Sequence, residues 1–301
     1  MNLLFHESAI MAPLASGSRG NCTYVGDERR GVLVDCGVST RQILHRLEAV
    51  GLGDARIEAV LVTHEHSDHV GAARVLSRRL AAREGRRVPF YMTQGTAAGL
   101  HPSCTPDRIE PVRAGAPFEV APGFVVEPVT VPHDTRDPVA YTLGVGRVRV
   151  GIVTDLGRGT RLVEQQLAGL DVAMLEFNHD LTMLLEGSYP WHLKQRVRGP
   201  HGHLSNQQAA ELLTRAGGPR LRHLVLAHLS EENNRPELAL QAAHEGLRAA
   251  GVQGVQLHVA RQDEPIAPLR VEPAPGATSA ARRMAAQPAA ADDTDRQIGL
   301  F

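Results

Sequence analysis

The stretch IEAVLVTHEHSDHV, residues 57–70, runs an apolar β-type segment directly into four metal-competent side chains, His64, His66, Asp68 and His69. Side chains so close in sequence converge only if the backbone turns. The stretch therefore predicts a strand ending in a loop that feeds a helix beginning near Val70. The pattern is not His-Glu-x-x-His, which sets two histidines one helical turn apart, because position 68 is Asp. Nitrogen and carboxylate donors without thiolate favour zinc or manganese over copper(I) or iron–sulfur chemistry.

The same arrangement recurs along the chain. GVLVDCG (31–37), FVVEPVTVPHD (124–134), VRVGIVTDLG (148–157), DVAMLEFNHD (171–180) and LRHLVLAHLS (221–230) are rich in Val, Ile and Leu, and each reaches a His or Asp near its C-terminal end. Buried strands deliver their tips to a shared edge, so Asp35, His133, Asp155 and His228 can join the cluster at 64–69 despite their separation in sequence. Helix-like segments lie between them at 41–50, 70–84, 205–217 and 236–251. Strands mixed with helices predict a layered α/β domain over residues 1–262, with its regular pattern starting at Leu14. From 263 to 301 the chain is rich in Ala and Pro and poor in large apolar side chains, and it reads as a disordered tail.

Composition narrows the function classes. The 301 residues are 43% hydrophobic and 22% charged with a net charge of -1, so no global field draws the chain to polyanions, and any such site is local. Three scattered cysteines, Cys22, Cys36 and Cys104, fit neither a disulfide framework nor a zinc ribbon. No apolar run approaches the roughly 20 residues of a membrane span, and MNLLFHESAI lacks a basic n-region. These features predict a non-exported cytoplasmic protein with no membrane partner.

The His-x-His-x-Asp-His block, with His133, Asp155 and His228 at later strand ends, resembles the signature of the metallo-β-lactamase superfamily. The resemblance implies an αβ/βα four-layer sandwich of two mixed β-sheets flanked by helices, with two divalent ions (Zn²⁺ or Mn²⁺) along one sheet edge. It implies His64, His66 and His133 as ligands of one metal, Asp68, His69 and His228 as ligands of the other, and Asp155 as the bridging carboxylate. It gives Asp35 a supporting position behind the ligands. A first pair His-x-His, rather than His-x-Glu, implies hydrolysis rather than oxygen reduction. Two ions about 3.5 to 4 Å apart lower the pKa of a shared water, deliver hydroxide as nucleophile and stabilise charge on a scissile phosphoryl or carbonyl group.

Further motifs narrow the resemblance. LASGSRGN (14–21), VPHDTRDPVAY (131–141), LEFNHD (175–180), YPWHLKQRVRGPHGHLSN (189–206) and LAHLSEENNRP (226–236) are similar to the YycJ/WalJ group, bacterial nucleases that degrade double-stranded DNA in the 5′-to-3′ direction. That implies a DNA exonuclease of repair or replication. The interval between Asp155 and His228 is too short for the large cap domain of RNA-processing relatives.

Several residues suit phosphate. Ser16, Ser18 and Asn21 with neighbouring glycines can line an anion-binding turn. His203, Ser205 and Asn206 sit where a helix begins, although Ser205 equally suits a plain N-cap. Asn178 and His179 end an apolar run and can reach substrate or buttress a loop. Asp68 and His203 are the candidate catalytic proton carriers. Lys194, Arg196 and Arg198 surround Trp191, as a nucleic-acid contact would need. The final residues resemble the peptide by which bacterial replication proteins bind the sliding clamp, with Gln297, Leu300 and Phe301 as the matching positions. Two rival readings use the same residues: a hydrolase of a small thioester, lactone or cyclic phosphodiester, and a non-catalytic clamp-associated binding protein. The intact set of ligands argues against the second.

Overall fold

In the computed structural model, which describes residues 8–273, the strands form two seven-stranded mixed sheets. The first holds β1 (Ala9–Ala15), β2 (Cys22–Gly26), β3 (Arg30–Val34), β4 (Arg56–Leu61), β5 (Phe90–Thr93), β6 (Ile109–Val112) and β14 (Leu269–Val271), in the order β14-β1-β2-β3-β4-β5-β6. The second holds β7 (Phe118–Ala121), β8 (Phe124–Thr130), β9 (Val139–Val145), β10 (Val148–Val153), β11 (Val172–Glu176), β12 (His223–Ala227) and β13 (Gln256–Val259), in the order β13-β12-β11-β10-β9-β8-β7.

Side-chain alternation explains the layering. Along β11, Val172 and Met174 pack between the sheets, whereas Ala173 and Leu175 face helices. β3 does the same, with Val32 and Val34 between the sheets and Leu33 on the outside. Both faces of these strands are buried, which is why they read as continuous apolar runs. Helices α1 (Thr40–Ala49) and α3 (Ala73–Glu84) supply Ile43, Leu47, Leu76 and Leu80 to the outer face of the first sheet. Helices α5 (Arg161–Ala168), α8 (Asn206–Ala216) and α9 (Pro236–Ala249) cover the second sheet with Val163, Leu212 and Ala243 among others. The result is the expected four-layer αβ/βα sandwich.

Parallel pairing gathers the polar tips. β3 and β4 run parallel with Val34 opposite Leu61, and β10, β11 and β12 run parallel with Val153 opposite Leu175 and Leu175 opposite Leu226. Residues just past these ends, including Asp35, His64, Asp155 and His228, therefore share one rim of the sandwich.

Three details depart from the sequence reading. The cluster at 64–69 is not all loop, because Ser67–Val70 forms one helical turn, α2, two residues before α3 begins. The regular structure starts at Ala9 rather than Leu14, and β1 is buried throughout as the partner of both β2 and β14. The boundary at 262 also moves. Leu269–Val271 pairs antiparallel with Ala9–Met11 and buries Leu269 and Val271 between the sheets, each worth about 1.5–3 kcal/mol. The Ala and Pro around this short segment hide it in any compositional average. Arg46 secures the approach by donating to the carbonyls of Leu14, Gln262 and Asp263. The proposed clamp peptide, with Gln297, Leu300 and Phe301, lies outside the described residues.

Candidate metal centre

His64, His66 and His133 turn one ring nitrogen each towards a common point. His64 Nε2 lies 3.2 Å and His133 Nε2 3.4 Å from His66 Nδ1. A tetrahedral ion with nitrogens at 2.0–2.1 Å holds them about 3.3 Å apart. The outer nitrogens are oriented from behind: His64 Nδ1 contacts Thr63 Oγ1 at 3.0 Å, and His133 Nδ1 donates to the Gly202 carbonyl at 3.1 Å. Burial, more than the neighbouring imidazoles, lowers the pKa of His64. Burial likewise lowers that of His133 against the pull of Asp155. Both rings are therefore neutral at pH 7 with a lone pair ready for a metal.

A second group stands beside the first. His69 Nε2 lies 3.4 Å from Asp68 Oδ2 and 3.3 Å from Asp155 Oδ2, and His228 Nε2 lies 3.7 Å from Asp68 Oδ2. Asp155 also groups with His64 and His69, which puts its carboxylate between the two clusters. Asp35 accepts from Thr63 through the backbone N–H and the hydroxyl, and its Oδ2 takes the Nδ1 proton of His69 at 2.8 Å, leaving Nε2 to face the centre. Burial opposes the charged forms of His69 and His228, but the surrounding carboxylates, Asp155 foremost, outweigh it and hold both pKa values well above the ordinary histidine range.

Two buried atoms here have no hydrogen-bond partner, Asp155 Oδ2 and His228 Nε2. Orphaned buried polar atoms are rare and costly. Divalent ions in the two clusters would satisfy both atoms, so the donor set fits a metal.

Asp35, Asp155 and His228 also share a backbone conformation, with φ of 60°, 57° and 54°. Among the described residues they are the non-glycine positions with positive φ. Side chains seldom accept the left-handed region, at a cost on the order of 1–3 kcal/mol. Each residue follows a strand, and the abrupt turn swings its side chain into the rim rather than onward along the strand direction.

Glu176, the last residue of β11, is the site residue that the sequence reading passed over. Its Oε1 lies 2.7 Å from His203 Nδ1 and 3.0 Å from His228 Nδ1, and its Oε2 accepts from the N–H groups of Leu156 and Leu204. Its pKa falls well below the carboxylate range, as His203 and its hydrogen bonds outweigh burial. The signal was a carboxylate ending the apolar run VAMLE, obscured by Asn178, His179 and Asp180 immediately after it. His203 sits at the centre, its ring 5.2 Å from that of His133 and 5.1 Å from that of His228.

The structure gives most of the expected substrate contacts internal partners. Ser16 Oγ accepts from the N–H of His228. Asn21 binds Gly17 through both side-chain atoms and the Asp68 carbonyl through Nδ2, which pins the ligand loop. Asn178 Nδ2 donates to the His228 carbonyl. Ser205 is the N-cap of α8 in a capping box with Gln208, and Asn206 exchanges amide hydrogen bonds with Asn234. Lys194, on the helix α7 (Trp191–Val197), turns inward to the carbonyls of Leu185 and Gly187, at 2.7 Å each, because these end the preceding helix α6 (Leu181–Glu186) without partners of their own. His179 is buried, and neither ring nitrogen has a partner. Ser18 stays exposed at the loop tip.

A model of the Beta-lactamase superfamily domain matches residues 30–229, which include every residue of the two clusters. The chain belongs to the metallo-β-lactamase superfamily. Within that superfamily it is 29% identical to the exodeoxyribonuclease YycJ of Bacillus anthracis over 86% of this chain and 97% of the relative. It is 33% identical to the exodeoxyribonuclease WalJ of Streptococcus pneumoniae over 75% of this chain and 83% of the relative. Among solved structures, the metallo-β-lactamase fold protein YhfI from Bacillus subtilis superposes with a TM-score of 0.64 at 15% identity, covering 86% of this chain and 99% of the other. The short form of human tRNase Z superposes with a TM-score of 0.57 at 16% identity over 86% and 98%. Within the superfamily this chain is a metal-dependent hydrolase, with a His/Asp cluster able to hold metal ions. No helix among the described residues is long and apolar enough to cross a membrane.

Proposed function

We propose that the protein is a two-metal phosphodiesterase that degrades double-stranded DNA from 5′ to 3′ in repair or replication. The observation that carries this reading is the pair of ligand clusters joined through Asp155, with His203 held between them by Glu176. The nuclease names of the YycJ and WalJ relatives support DNA as the substrate.

His64, His66 and His133 would hold one ion and Asp68, His69 and His228 the other, with Asp155 available to both. When bound, zinc or manganese would supply a nucleophile from water at neutral pH and offset charge developing on phosphorus. Asp35 fixes the tautomer of His69, and Gly202 fixes that of His133. His203 keeps its Nδ1 proton on Glu176, which leaves Nε2 to exchange a proton with the phosphodiester oxygens. Asp68 is partly exposed and reaches both His69 and His228, so its carboxylate would be placed to relay a proton between the site and solvent.

Linear duplex labelled at its 5′ or 3′ end, incubated with Mn²⁺ or Zn²⁺ beside Asp68→Ala, tests this reading. Stepwise loss of the 5′ label by the parent chain and not by the variant is the expected result. A protein that holds two equivalents of metal and leaves DNA intact would shift the reading to a small ester or cyclic phosphodiester. The same reading assigns Gln297, Leu300 and Phe301 to a sliding-clamp contact, and retained clamp binding after deletion of residues 297–301 would remove that assignment.

A further inference from the structure

Among the described residues the exposed large hydrophobic side chains are Val75, Leu181, Leu185 and Trp191, and three of the four lie on α6 and α7. Trp191 is 57% exposed. Its ring is covered on one side by the Arg198 guanidinium, whose carbon lies 5.3 Å from the ring centroid. No carboxylate pairs with Arg198 among the described residues. Lys194, inserted between the carbonyls of Leu185 and Gly187, ties α6 and α7 into one projection.

That projection is attached to the metal centre at its other end. Arg196 Nε donates to Asp134 at 2.6 Å, and Asp134 lies 3.4 Å from His133 Nε2. The Val197 carbonyl accepts from the N–H of His203, and Gly202 holds His133. The seven-residue helix α7, about 10 Å long, thus links Trp191 at its first residue to Val197, whose carbonyl holds the turn carrying His203. Within the clusters His64, His69, Asp155 and His228 are almost fully buried, whereas His66 and Asp68 are partly exposed, so a phosphate would approach from the side of those two. On the phosphodiesterase reading, a strand end separated from its duplex there would carry an unpaired base beside that phosphate.

We propose that Trp191, backed by Arg198, is a stacking platform for an unpaired base flanking the scissile phosphate. This rests on the phosphodiesterase reading above and names its substrate at the point of entry as a single nucleic-acid strand. A flat indole is sequence-tolerant, because every base has a π-face, and the guanidinium behind it supplies the charge complementary to the backbone. Arg198, which has no carboxylate partner among the described residues, makes a nucleic acid a better occupant than a second apolar protein surface.

Trp191 is the chain's single tryptophan, so its fluorescence reports the platform directly. The metal-loaded protein is titrated with a hydrolysis-resistant phosphorothioate oligothymidine and with an abasic strand of equal length. Saturable quenching by the first and none by the second is expected. With hydrolysable strands, KM for the abasic strand should exceed that for the base-bearing strand by about tenfold. Trp191→Ala should bring that ratio to about one, while Trp191→Phe keeps most of it. Equal KM values in the parent chain, or fluorescence that follows protein concentration through self-association rather than added strand, overturns the platform. Turnover of bis(p-nitrophenyl) phosphate by the parent chain separates the two levels of failure. A chain that cleaves this diester but no DNA loses the nuclease reading and the platform together, whereas one that digests DNA with equal KM values loses the platform alone.

Discussion

The Glu176 carboxylate receives the Nδ1 side of His203 at 2.7 Å while fully buried at the end of β11, so a single buried charge fixes the most central histidine of the rim. The same oxygen lies 3.0 Å from His228 Nδ1. Glu176→Gln keeps the shape and removes the charge. Turnover should fall about 10- to 100-fold, with a weaker hold on metal through His228. Steady-state kinetics with metal content measured on the same sample checks this, and full activity with two equivalents of metal would contradict it.

Asp35 supports the centre without facing it. In Asp35→Ala, His69 loses the acceptor for its Nδ1 proton and the buried N–H of Thr63 loses its own, so metal affinity should fall about 10- to 100-fold. Stability should also drop by about 1–3 kcal/mol for the unsatisfied N–H. Competition with a chelator reads the first, and urea unfolding of the metal-stripped chain reads the second.

His179 predicts an acid limb. Burial lowers its pKa to about 4 from an ordinary value of 6.5. The folded chain therefore refuses a proton that the unfolded chain accepts. Stability is unaffected by this group above pH 6.5, falls as the pH drops towards 4, and falls no further below that. Relative to His179→Gln, the parent chain should lose about 1.4 kcal/mol per pH unit across this window. Parallel curves for the two metal-stripped proteins between pH 6.5 and 4 would refute it.

Lys194 distinguishes support from substrate contact. Lys194→Met removes two hydrogen bonds to helix-terminal carbonyls and should lower stability by about 1–3 kcal/mol. The salt dependence of DNA binding should keep its slope, because this ammonium does not face the solvent. A slope reduced by about one would return Lys194 to the backbone contacts.

Much of the site could be read from the residues themselves. Strand tips such as Asp35, Asp155 and His228 announce themselves because an ionisable group at the end of an apolar run has no place in the core. The serine and asparagine positions are less legible for a related reason: Ser16, Asn21, Asn178 and Ser205 have the chemistry of phosphate ligands and of loop supports alike, and their internal partners appear only in the tertiary structure. β14 was missed because three residues in a Pro-rich stretch carry no periodicity of their own and become a strand only by pairing with β1.

The layered α/β class, the clustering of His64, His66, Asp68 and His69 and the placing of Asp35, Asp155 and His228 at strand ends are legible in the chain alone, because local hydrophobic periodicity and the position of a charged residue within it are local properties. The tertiary structure alone decided which nitrogen of each histidine faces the centre, that Glu176 orients His203, that Lys194 is an internal cap, and that Asp35, Asp155 and His228 turn through left-handed backbone. These depend on hydrogen bonds between residues far apart in the chain, and no local pattern encodes the partner at the other end.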